Sequence, residues 1–503
     1  MPNRSKTSFT AVDGWRASVV DNVSAGARFA GLYGVADDAS CQLTALIATD
    51  DAYRALDVSV VPDPNGKLAY PSLSTHIKPA FWYERALHDL SGVVPIGHPR
   101  LDPLLLSLEA GSERPRPGRQ APPSSLRQSE TAHGPVDVTG RGMFALSLGP
   151  VRSGVVESIE FLIESPGEDI PHLNIRPHFK HRGVAKKFEG KTPADAVLVA
   201  ERVEGIASVA HALAFSHAIE RIAGVEPPPR ARLLRVVYAE LERMANHLDV
   251  AMRLSDAAGL AVATARFAWH KETTLRLTSR MCGSRFGRGV VVPGGVSAAP
   301  QLSASAIASE ITSLRARTRA DAVLAMRTPS FLDRLRGTGR LDPDYAQLWG
   351  LVGPLGRASG SGDDLRWSRP TDAYAELRLP TRPAGEEEGD VLARLRVRWS
   401  EIETSVDLIL AALGRLEADT SAVLAAPIDL SGAIGFGLGW SEGAQGEMVH
   451  AVALEDGLIQ RCFARSASFH NLVAFHDAFP ADVFTDFAFI EASFGLGYAG
   501  VAM

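Results

Sequence analysis

Cysteine is scarce in this sequence of 503 residues, which has only Cys41, Cys282 and Cys462. The three are far apart and none belongs to a C-x-x-C pair. This excludes a zinc or iron–sulfur site built from cysteines of this chain alone. A disulfide framework is equally unexpected, and a reducing compartment fits the composition. Each thiol is therefore expected to be buried or inert.

The sequence also lacks long apolar runs and any excess of basic residues. No stretch of about 18 apolar residues occurs, so no membrane-spanning helix is expected. The N-terminal segment lacks the apolar core of a signal peptide. The formal net charge is −6, which gives no support to a nucleic-acid partner. Any link to a membrane is therefore expected to go through partner proteins.

Three zones can be distinguished along the chain. Residues 1–108 contain strand-like runs at 44–50 and 55–63 with one or two helices, and they predict a small α+β domain. Residues 109–135 are rich in Pro, Ser, Arg and Gly, and they predict a linker. Residues 136–503 begin with strand-like runs and continue as helices. This pattern predicts a mainly α helix-bundle domain with a small β element at its entrance.

Capping residues and apolar periodicity predict the helices of the third zone. One helix is expected to begin at Thr192, with Pro193 at its first position, and to stop at Gly224. A second is expected to open within 227–230. Further expected elements are helices at 256–281 and 302–327, a last pair of helices at 391–424, strand-like runs at 448–466 and a closing helix.

Two stripes of polar residues interrupt the apolar faces of the first two long helices. They are Glu204, Ser208 and His211 on the first helix, and Glu240, Arg243 and His247 on the second. The spacing puts each set on one helix face. Inward stripes of this kind form sites inside carboxylate–histidine metal proteins. A satisfied core network of Glu, Arg and His fits the same spacing, and spacing alone favours the network.

Two glycine-rich segments, 281–289 and 432–439, would let the backbone approach a partner or cofactor closely. The first is not preceded by a strand with G-x-G-x-x-G, and no Walker Lys-Ser/Thr follows it. The second lies in a strand-and-loop region. A structural role is therefore favoured over nucleotide or phosphate binding for both.

Motifs spread over nearly the whole chain resemble two related families. The segment 82–92, followed by Gly97-His98-Pro99, is similar to the E-R-E-x-x-D-x-F-G … G-H-P signature of the C subunit of NADH:quinone oxidoreductase. The third zone looks like the D subunit of that enzyme. It looks still more like the large subunit of energy-converting nickel–iron hydrogenases of the formate hydrogenlyase type. The matching stretches are 149–154, 178–183, 200–203, 228–231, 246–248, 285–286 with 293–295, and 446–447.

The resemblance implies two C-x-x-C pairs that hold nickel and iron, because soft thiolates suit these metals. The corresponding positions here are Glu204, Ala207, Gly497 and Gly500. None of them supplies sulfur, so a nickel–iron centre is not expected and no metal is assigned to the chain. An Arg expected just before Gly446 is replaced by Gln445, a further departure.

The resemblance also implies a quinone site, again with departures. In the respiratory enzyme a His on the entrance hairpin and a Tyr at the start of the first bundle helix contact the quinone head group. These positions correspond to Val156 and Gly205. Any quinone is therefore expected to be held differently, by cavity-lining groups that can relay protons. The candidates for this cavity are Glu204, His211, Glu157 and Arg152.

As a whole, the resemblance implies the peripheral large subunit of a membrane-associated electron-transfer complex, an oxidoreductase subunit that acts only within the complex. Its expected partners are a small subunit carrying an iron–sulfur cluster and integral antiporter-like membrane subunits, on the cytoplasmic face of the plasma membrane. NAD is expected to bind another subunit. The alternative is a non-catalytic assembly scaffold, and a weaker one is a redox-inactive metal held by Glu204, Glu157 and His211.

Overall fold

The computed structural model describes most of both predicted domains. The described residues are 9–36, 39–108, 112, 114, 140, 142–152, 157–361, 363–377, 385–419 and 421–503. Nearly all of the predicted linker 109–135, and Val156, lie outside this set. None of the described helices is both long and apolar enough to cross a membrane.

The N-terminal region is an antiparallel three-stranded sheet with two helices, which confirms the prediction of strands mixed with helices. The predicted runs 44–50 and 55–63 fall on the second and third strands, and their Val, Ile and Leu side chains are largely buried. The elements are α1 (Phe9–Ser24), β1 (Arg28–Ala36), β2 (Cys41–Ala48), β3 (Tyr53–Val60), β4 (Ala69–Pro71), α2 (Ala80–Ser91) and β5 (Val94–Ile96).

The acidic residues of the 82–92 segment hold the loops around α2. Glu84 is fully buried and accepts hydrogen bonds from the Ser72 hydroxyl and the Leu73 amide, both at 2.7 Å. Asp89 accepts hydrogen bonds from the amides of Leu104 and Leu105, also at 2.7 Å. Buried carboxylates need such partners, so these motif residues stabilise the fold of the N-terminal region.

The entrance of the third zone is a three-stranded antiparallel sheet formed by β6 (Phe144–Leu148), β7 (Glu160–Ser165) and β8 (His172–Arg176). The sequence predicted strands within 136–165, where β6 and β7 lie. The third strand, β8, was not predicted. The middle strand β7 is buried along its whole length. Phe161 on this strand contacts Phe475, Phe487 and Tyr498, so the sheet packs on the C-terminal segment of the chain.

The first predicted bundle helix is broken, which corrects the expectation of one helix from Thr192 to Gly224. The cap at Thr192 and the left-handed stop at Gly224 are confirmed. Between them the chain forms α4 (Pro193–Ala200), a turn at 201–207 and α5 (Ser208–Ala223). The turn persists because distant side chains, described below, bind the carbonyl groups that a continuous helix would use.

The remaining helices agree with the sequence in part. α6 and α8 lie where helices were expected, α7 begins five residues later than expected, and α13 is one helix where a pair was expected. Arg230 binds the carbonyl groups of Leu416 and Asp419 and so satisfies the end of α13. The bounds are α3 (Val184–Phe188), α6 (Pro229–Ala257), α7 (Ala261–Cys282), α8 (Ala304–Ala325), α9 (Pro329–Leu335), α10 (Pro343–Leu348), α11 (Gly353–Ala358), α12 (Leu365–Ser368) and α13 (Val391–Ala418), with short strands β9 (Val291–Val292) and β10 (Gly295–Val296).

The C-terminal region is a three-stranded antiparallel sheet that packs on α5. A Cβ on Gly437 would lie 2.3 Å from the Ala218 carbonyl oxygen, and one on Gly439 would lie 2.0 Å from that of Ala214. The glycines of segment 432–439 therefore serve close strand–helix packing. The elements are β11 (Gly435–Gly443), β12 (Gly446–Glu455), β13 (Leu458–Arg465), α14 (Ala467–Leu472), α15 (Phe487–Phe494) and α16 (Tyr498–Ala502).

The N-terminal region is joined to the C-terminal sheet through a buried carboxylate on β12. Glu447 accepts hydrogen bonds from Arg28 at 2.8 Å and from the Tyr53 hydroxyl at 2.6 Å, and it also pairs with Arg465. Nearby, the Tyr83 hydroxyl lies 2.9 Å from Nδ1 of His470. These contacts and a continuous apolar core connect the two regions.

Candidate functional site

Glu204 lies in the turn between α4 and α5 and is fully buried. Its Oε2 accepts a hydrogen bond from the Ser466 hydroxyl at 2.5 Å, and its Oε1 accepts one from the Ser468 hydroxyl at 2.5 Å. The amide of Gly497 donates a third, at 3.0 Å. Both oxygens are therefore engaged by donors from the C-terminal segment.

The carboxylate of Glu204 fills the space in front of two glycines. A Cβ built on Gly497 would stand 2.4 Å from Oε1, and one on Gly500 would stand 2.4 Å from Oε2. Ala207 is also fully buried, in a small apolar cluster. Three of the four positions where the resemblance places cysteines thus meet at one point, and a carboxylate occupies it.

Two residues of the recognised motifs hold this turn in place. The Arg182 guanidinium donates to the carbonyl groups of Arg202 at 2.9 Å and Val203 at 2.6 Å. It also donates to Ala499 at 3.0 Å, so it ties the turn to the 497–500 segment. Asn246 donates to the Ile206 carbonyl at 2.8 Å. These bonds explain why the helix breaks at Glu204.

His211 faces Glu204 despite the broken helix. Its Nε2 lies 3.7 Å from Oε2 of Glu204 and makes no hydrogen bond among the described residues. Its Nδ1 lies 2.9 Å from Nε2 of His450, whose Nδ1 lies 3.6 Å from Sγ of Cys462. Burial, together with His211, holds the pKa of His450 well below its usual value. A carboxylate beside a pair of imidazoles can exchange protons.

The other two candidates contact the 497–500 segment. Glu157 accepts a hydrogen bond from the Ala499 amide at 2.8 Å, and burial raises the pKa of its carboxyl group. Arg152 forms two hydrogen bonds to Glu491, at 2.6 and 3.0 Å, and the Tyr498 hydroxyl donates to the same carboxylate. Both candidates are therefore engaged by partners near the site.

The second polar stripe is a satisfied core network, as the spacing favoured. Glu240 pairs with Arg243 and Arg366, each at 3.1 Å, and the Tyr374 hydroxyl donates to it at 2.6 Å. His247 contacts Glu401 at 2.8 Å, and burial lowers its pKa to about 4. These charges are buried and mutually compensated, so this stripe is assigned to the core.

The donor set at Glu204 does not suit a nickel–iron centre. The nearest polar groups are carboxylate, hydroxyl and amide, whereas nickel and iron in such centres need thiolates. Within the described part of the chain, no group of three or more His, Cys, Asp and Glu side chains is arranged to hold a metal. Hydroxyl and amide donors therefore hold the Glu204 carboxylate by hydrogen bonds.

Three residues at the site were not found from the sequence: Ser466, Ser468 and His450. The two serines flank the start of α14, where Ser466 caps the helix. His450 lies on β12, more than 200 residues from His211 along the chain. No local pattern marks any of them as a partner of Glu204 or His211, because the contacts depend entirely on the tertiary fold.

Family models match three parts of the chain. The respiratory-chain NADH dehydrogenase 30 Kd subunit matches residues 8–122, and the 49 Kd subunit of the same enzyme matches residues 258–431. The nickel-dependent hydrogenase model matches residues 182–255, which include the Glu204 turn. The order along the chain is that expected from the motifs.

Individual proteins similar to this chain also come from hydrogenase and NADH-quinone oxidoreductase complexes. Formate hydrogenlyase subunit 5 of Escherichia coli is 27% identical over 429 residues, which cover 83% of this chain and 74% of that protein. NADH-quinone oxidoreductase subunit 4 of Thermus thermophilus is 31% identical over 301 residues, which cover 59% of this chain and 70% of that subunit. A chain of an archaeal membrane-bound sulfane sulfur reductase shares the fold, with a TM-score of 0.68, 22% identity, and coverage of 73% of this chain and 100% of that chain.

Proposed function

This chain belongs to the family of NADH-quinone oxidoreductase D subunits and hydrogenase large subunits, and on that basis we propose that it is the large peripheral subunit of a membrane-associated electron-transfer complex. It would act only within that complex, on the cytoplasmic face of the membrane. Its partners would be a small subunit that carries an iron–sulfur cluster and integral membrane subunits.

The proposal further holds that this subunit does not activate hydrogen on nickel. The single observation that carries it is the buried carboxylate of Glu204, which fills the space between Gly497 and Gly500. The Ser466 and Ser468 hydroxyls complete its hydrogen bonds, so the space is chemically satisfied without a metal. Restoring thiolates at Gly497 and Gly500 would require this side chain to move.

We propose that the electrons pass instead to a quinone-like acceptor close to the partner's iron–sulfur cluster. Reduction of a quinone to a hydroquinone takes two electrons and two protons. Glu204 and His211, which lie 3.7 Å apart, are suited to supply protons near the acceptor. Neither Gly205 nor Val156 can donate to it from a side chain, so the head group would be bound by other residues.

The test uses the purified complex, whose partner iron–sulfur cluster is first reduced with dithionite and then freed of excess dithionite, and menadione as acceptor. We expect menadione reduction in the native complex, no bound nickel and no uptake of hydrogen. Glu204→Gln should lower the rate of menadione reduction at least tenfold, since general acid–base groups contribute about 10²–10⁴ to a rate. Glu226→Gln, at an exposed position, is the control and should leave the rate unchanged.

Two results would count against the proposal in different ways. Bound nickel together with hydrogen uptake would contradict the proposal that this subunit has no nickel–iron centre. No reduction of menadione by an intact complex would instead favour the assembly scaffold, an alternative suited to a site whose polar groups are already satisfied within the chain.

A further inference from the structure

A small apolar cavity lies where the N-terminal region meets the C-terminal sheet. Its volume is about 80 Å³, and its wall is formed by β1 and α2 on one side and by α3 and β13 on the other. An apolar cavity of about 150 Å³ in another protein holds benzene, which has six carbon atoms. A space of this smaller size therefore suits a molecule of about three to five non-hydrogen atoms.

The charged side chains in the wall of this cavity are cationic. Among the described residues, no Asp or Glu lines the cavity, whereas Arg461 and Lys186 do. Most of the remaining wall is apolar and includes Leu32, Leu87, Leu105, Val184, Phe463 and Phe469. The cavity therefore offers positive charge and apolar surface together to a molecule that enters it.

Arg461, on β13, carries a buried guanidinium group that lacks a counter-ion. The residue is 3% exposed, and it forms no ion pair with a carboxylate of the described residues, the one at Met503 included. The main negative charge near it is Glu189, which pairs with Lys186 instead. Because a buried cation without a counter-ion is costly, Arg461 indicates a place for an anion.

The nitrogen atoms of Arg461 are nearly free of hydrogen bonds. Nη1 donates only to the neighbouring Cys462 carbonyl, at a long 3.4 Å. Nη2 makes no hydrogen bond among the described residues and, unlike the unpaired Nε, is not enclosed by protein atoms. A guanidinium group presents its N–H groups as a planar fork that matches a carboxylate. The terminal nitrogens of Arg461 can therefore bind one.

We propose that this cavity binds a short-chain monocarboxylate, such as propionate, with its carboxylate on Arg461 and its alkyl end among the apolar residues. An inorganic anion would leave the apolar wall without a partner, and a neutral molecule would leave the guanidinium group uncompensated. The bound anion would supply the counter-ion that the described residues lack here. It would also bridge the N-terminal region and the C-terminal sheet, independently of the electron transfer proposed above.

Binding of radiolabelled propionate to the full chain is measured by equilibrium dialysis at fixed ionic strength. We expect a dissociation constant between about 10 μM and 10 mM, a range open to a ligand of about five non-hydrogen atoms. Propionamide has nearly the same size but no charge. As a competitor it should bind at least about tenfold more weakly than unlabelled propionate, because it lacks the charge-assisted hydrogen bonds.

Arg461→Met separates a ligand-binding guanidinium group from a structural one. The variant keeps an apolar side chain but removes the charge, so propionate binding should weaken at least about tenfold. Because it also removes a buried, uncompensated cation, it should raise the unfolding midpoint of the unliganded chain. A guanidinium group that only holds the fold together would give a lower midpoint and unchanged propionate binding.

Ala86→Leu is a second variant, and it keeps every charge of the cavity. Ala86 lies on α2 in the cavity wall, so a larger side chain there occupies the space of the ligand. Propionate binding should again weaken at least about tenfold. Arg327→Met is the control for general attraction of anions to the chain. It lies at an exposed position outside the cavity and should leave the dissociation constant unchanged.

Three results would overturn the inference. The first is a native chain that binds propionate no better than propionamide. The second is unchanged propionate binding in both Arg461→Met and Ala86→Leu. The third is a structure of the complex in which an acidic side chain of a partner subunit lies on Arg461, because the counter-ion would then be protein. None of these results bears on the proposed electron transfer.

Discussion

The side chain of Glu204 lies so close to the backbone of Gly497 that a Cβ at position 497 would collide with it. The three atoms nearest to a Cβ on Gly497 are Oε1, Cγ and Cδ of Glu204, at 2.4, 2.8 and 2.9 Å. A separation under 3 Å between such atoms is repulsive. A side chain at position 497 and the carboxylate of Glu204 would therefore compete for the same space.

The first prediction is a strong coupling between these two positions. Gly497→Ala alone should destabilise the chain by about 1–3 kcal/mol, the usual cost of overpacking. In the background of Glu204→Ala the new methyl group has room, so the same change should cost much less. The measurement is a double-mutant cycle from urea unfolding of the full chain, with an expected coupling of about 1–3 kcal/mol.

Gly205→Ala serves as the control for this cycle, because a Cβ at Gly205 meets nothing within 4 Å. It should change stability little, with or without Glu204→Ala. Additive effects of Gly497→Ala and Glu204→Ala would show that the carboxylate does not fill the space in front of Gly497.

The second prediction concerns the junction between the N-terminal region and the C-terminal sheet. Glu447 is 2% exposed and pairs with Arg28 and Arg465. Glu447→Ala leaves the buried guanidinium of Arg465 without its carboxylate and removes a partner of the half-buried Arg28, which should cost about 3–5 kcal/mol. We expect faster limited proteolysis near residue 28 and a lower unfolding midpoint.

An exposed ion pair provides the contrast. Glu272 pairs with Arg276 at 2.8 Å, but the two side chains are 35% and 74% exposed. Glu272→Ala should change the free energy of unfolding by about 1 kcal/mol or less. Equal effects of the two substitutions would contradict the assignment of Glu447 to the junction.

The third prediction concerns the glycines of β11. A Cβ on Gly439 would lie 2.0 Å from the Ala214 carbonyl oxygen, so Gly439→Ala must push β11 away from α5. We expect a loss of more than 2 kcal/mol, or failure to fold. Gly414→Ala, on α13 with nothing within 4 Å, should instead raise stability by about 0.5–1 kcal/mol, because Ala favours helix. Thermal unfolding of both variants checks that Gly439→Ala lowers the stability and that Gly414→Ala raises it.

Local signals predicted the ends of elements well. The Thr192 side chain accepts from the Asp195 amide at 3.2 Å, as its position before Pro193 predicted, and Gly224 adopts the left-handed conformation expected of a helix stop. Such signals act within a few residues of the chain. They could not predict the break at 201–207, because its cause is the binding of carbonyl groups by Arg182 and Asn246.

The candidate site was predicted only to the extent that family motifs mark it. The motif positions brought Glu204, Gly497 and Gly500 together, although they are almost 300 residues apart in sequence. The donors Ser466 and Ser468 carry no motif, and neither does His450. They meet Glu204 and His211 only through the tertiary fold.

The last prediction is a pH dependence of stability caused by Glu242. Burial raises its pKa from 4.5 to about 8. Between these values the folded chain binds a proton at Glu242 that the unfolded chain has released. The stabilisation is therefore fully present below pH 4.5, falls as the pH rises through this window, and is lost above pH 8. The slope from one proton is at most about 1.4 kcal/mol per pH unit.

Glu242→Gln isolates this contribution, because the amide is neutral at every pH and its oxygen can still accept from the Val209 amide. Urea unfolding of both chains at pH 5, 6, 7 and 8 gives the difference in free energy, which should shift steadily in favour of the Gln variant as the pH rises. Parallel curves for the two chains would mean that Glu242 ionises equally in both states.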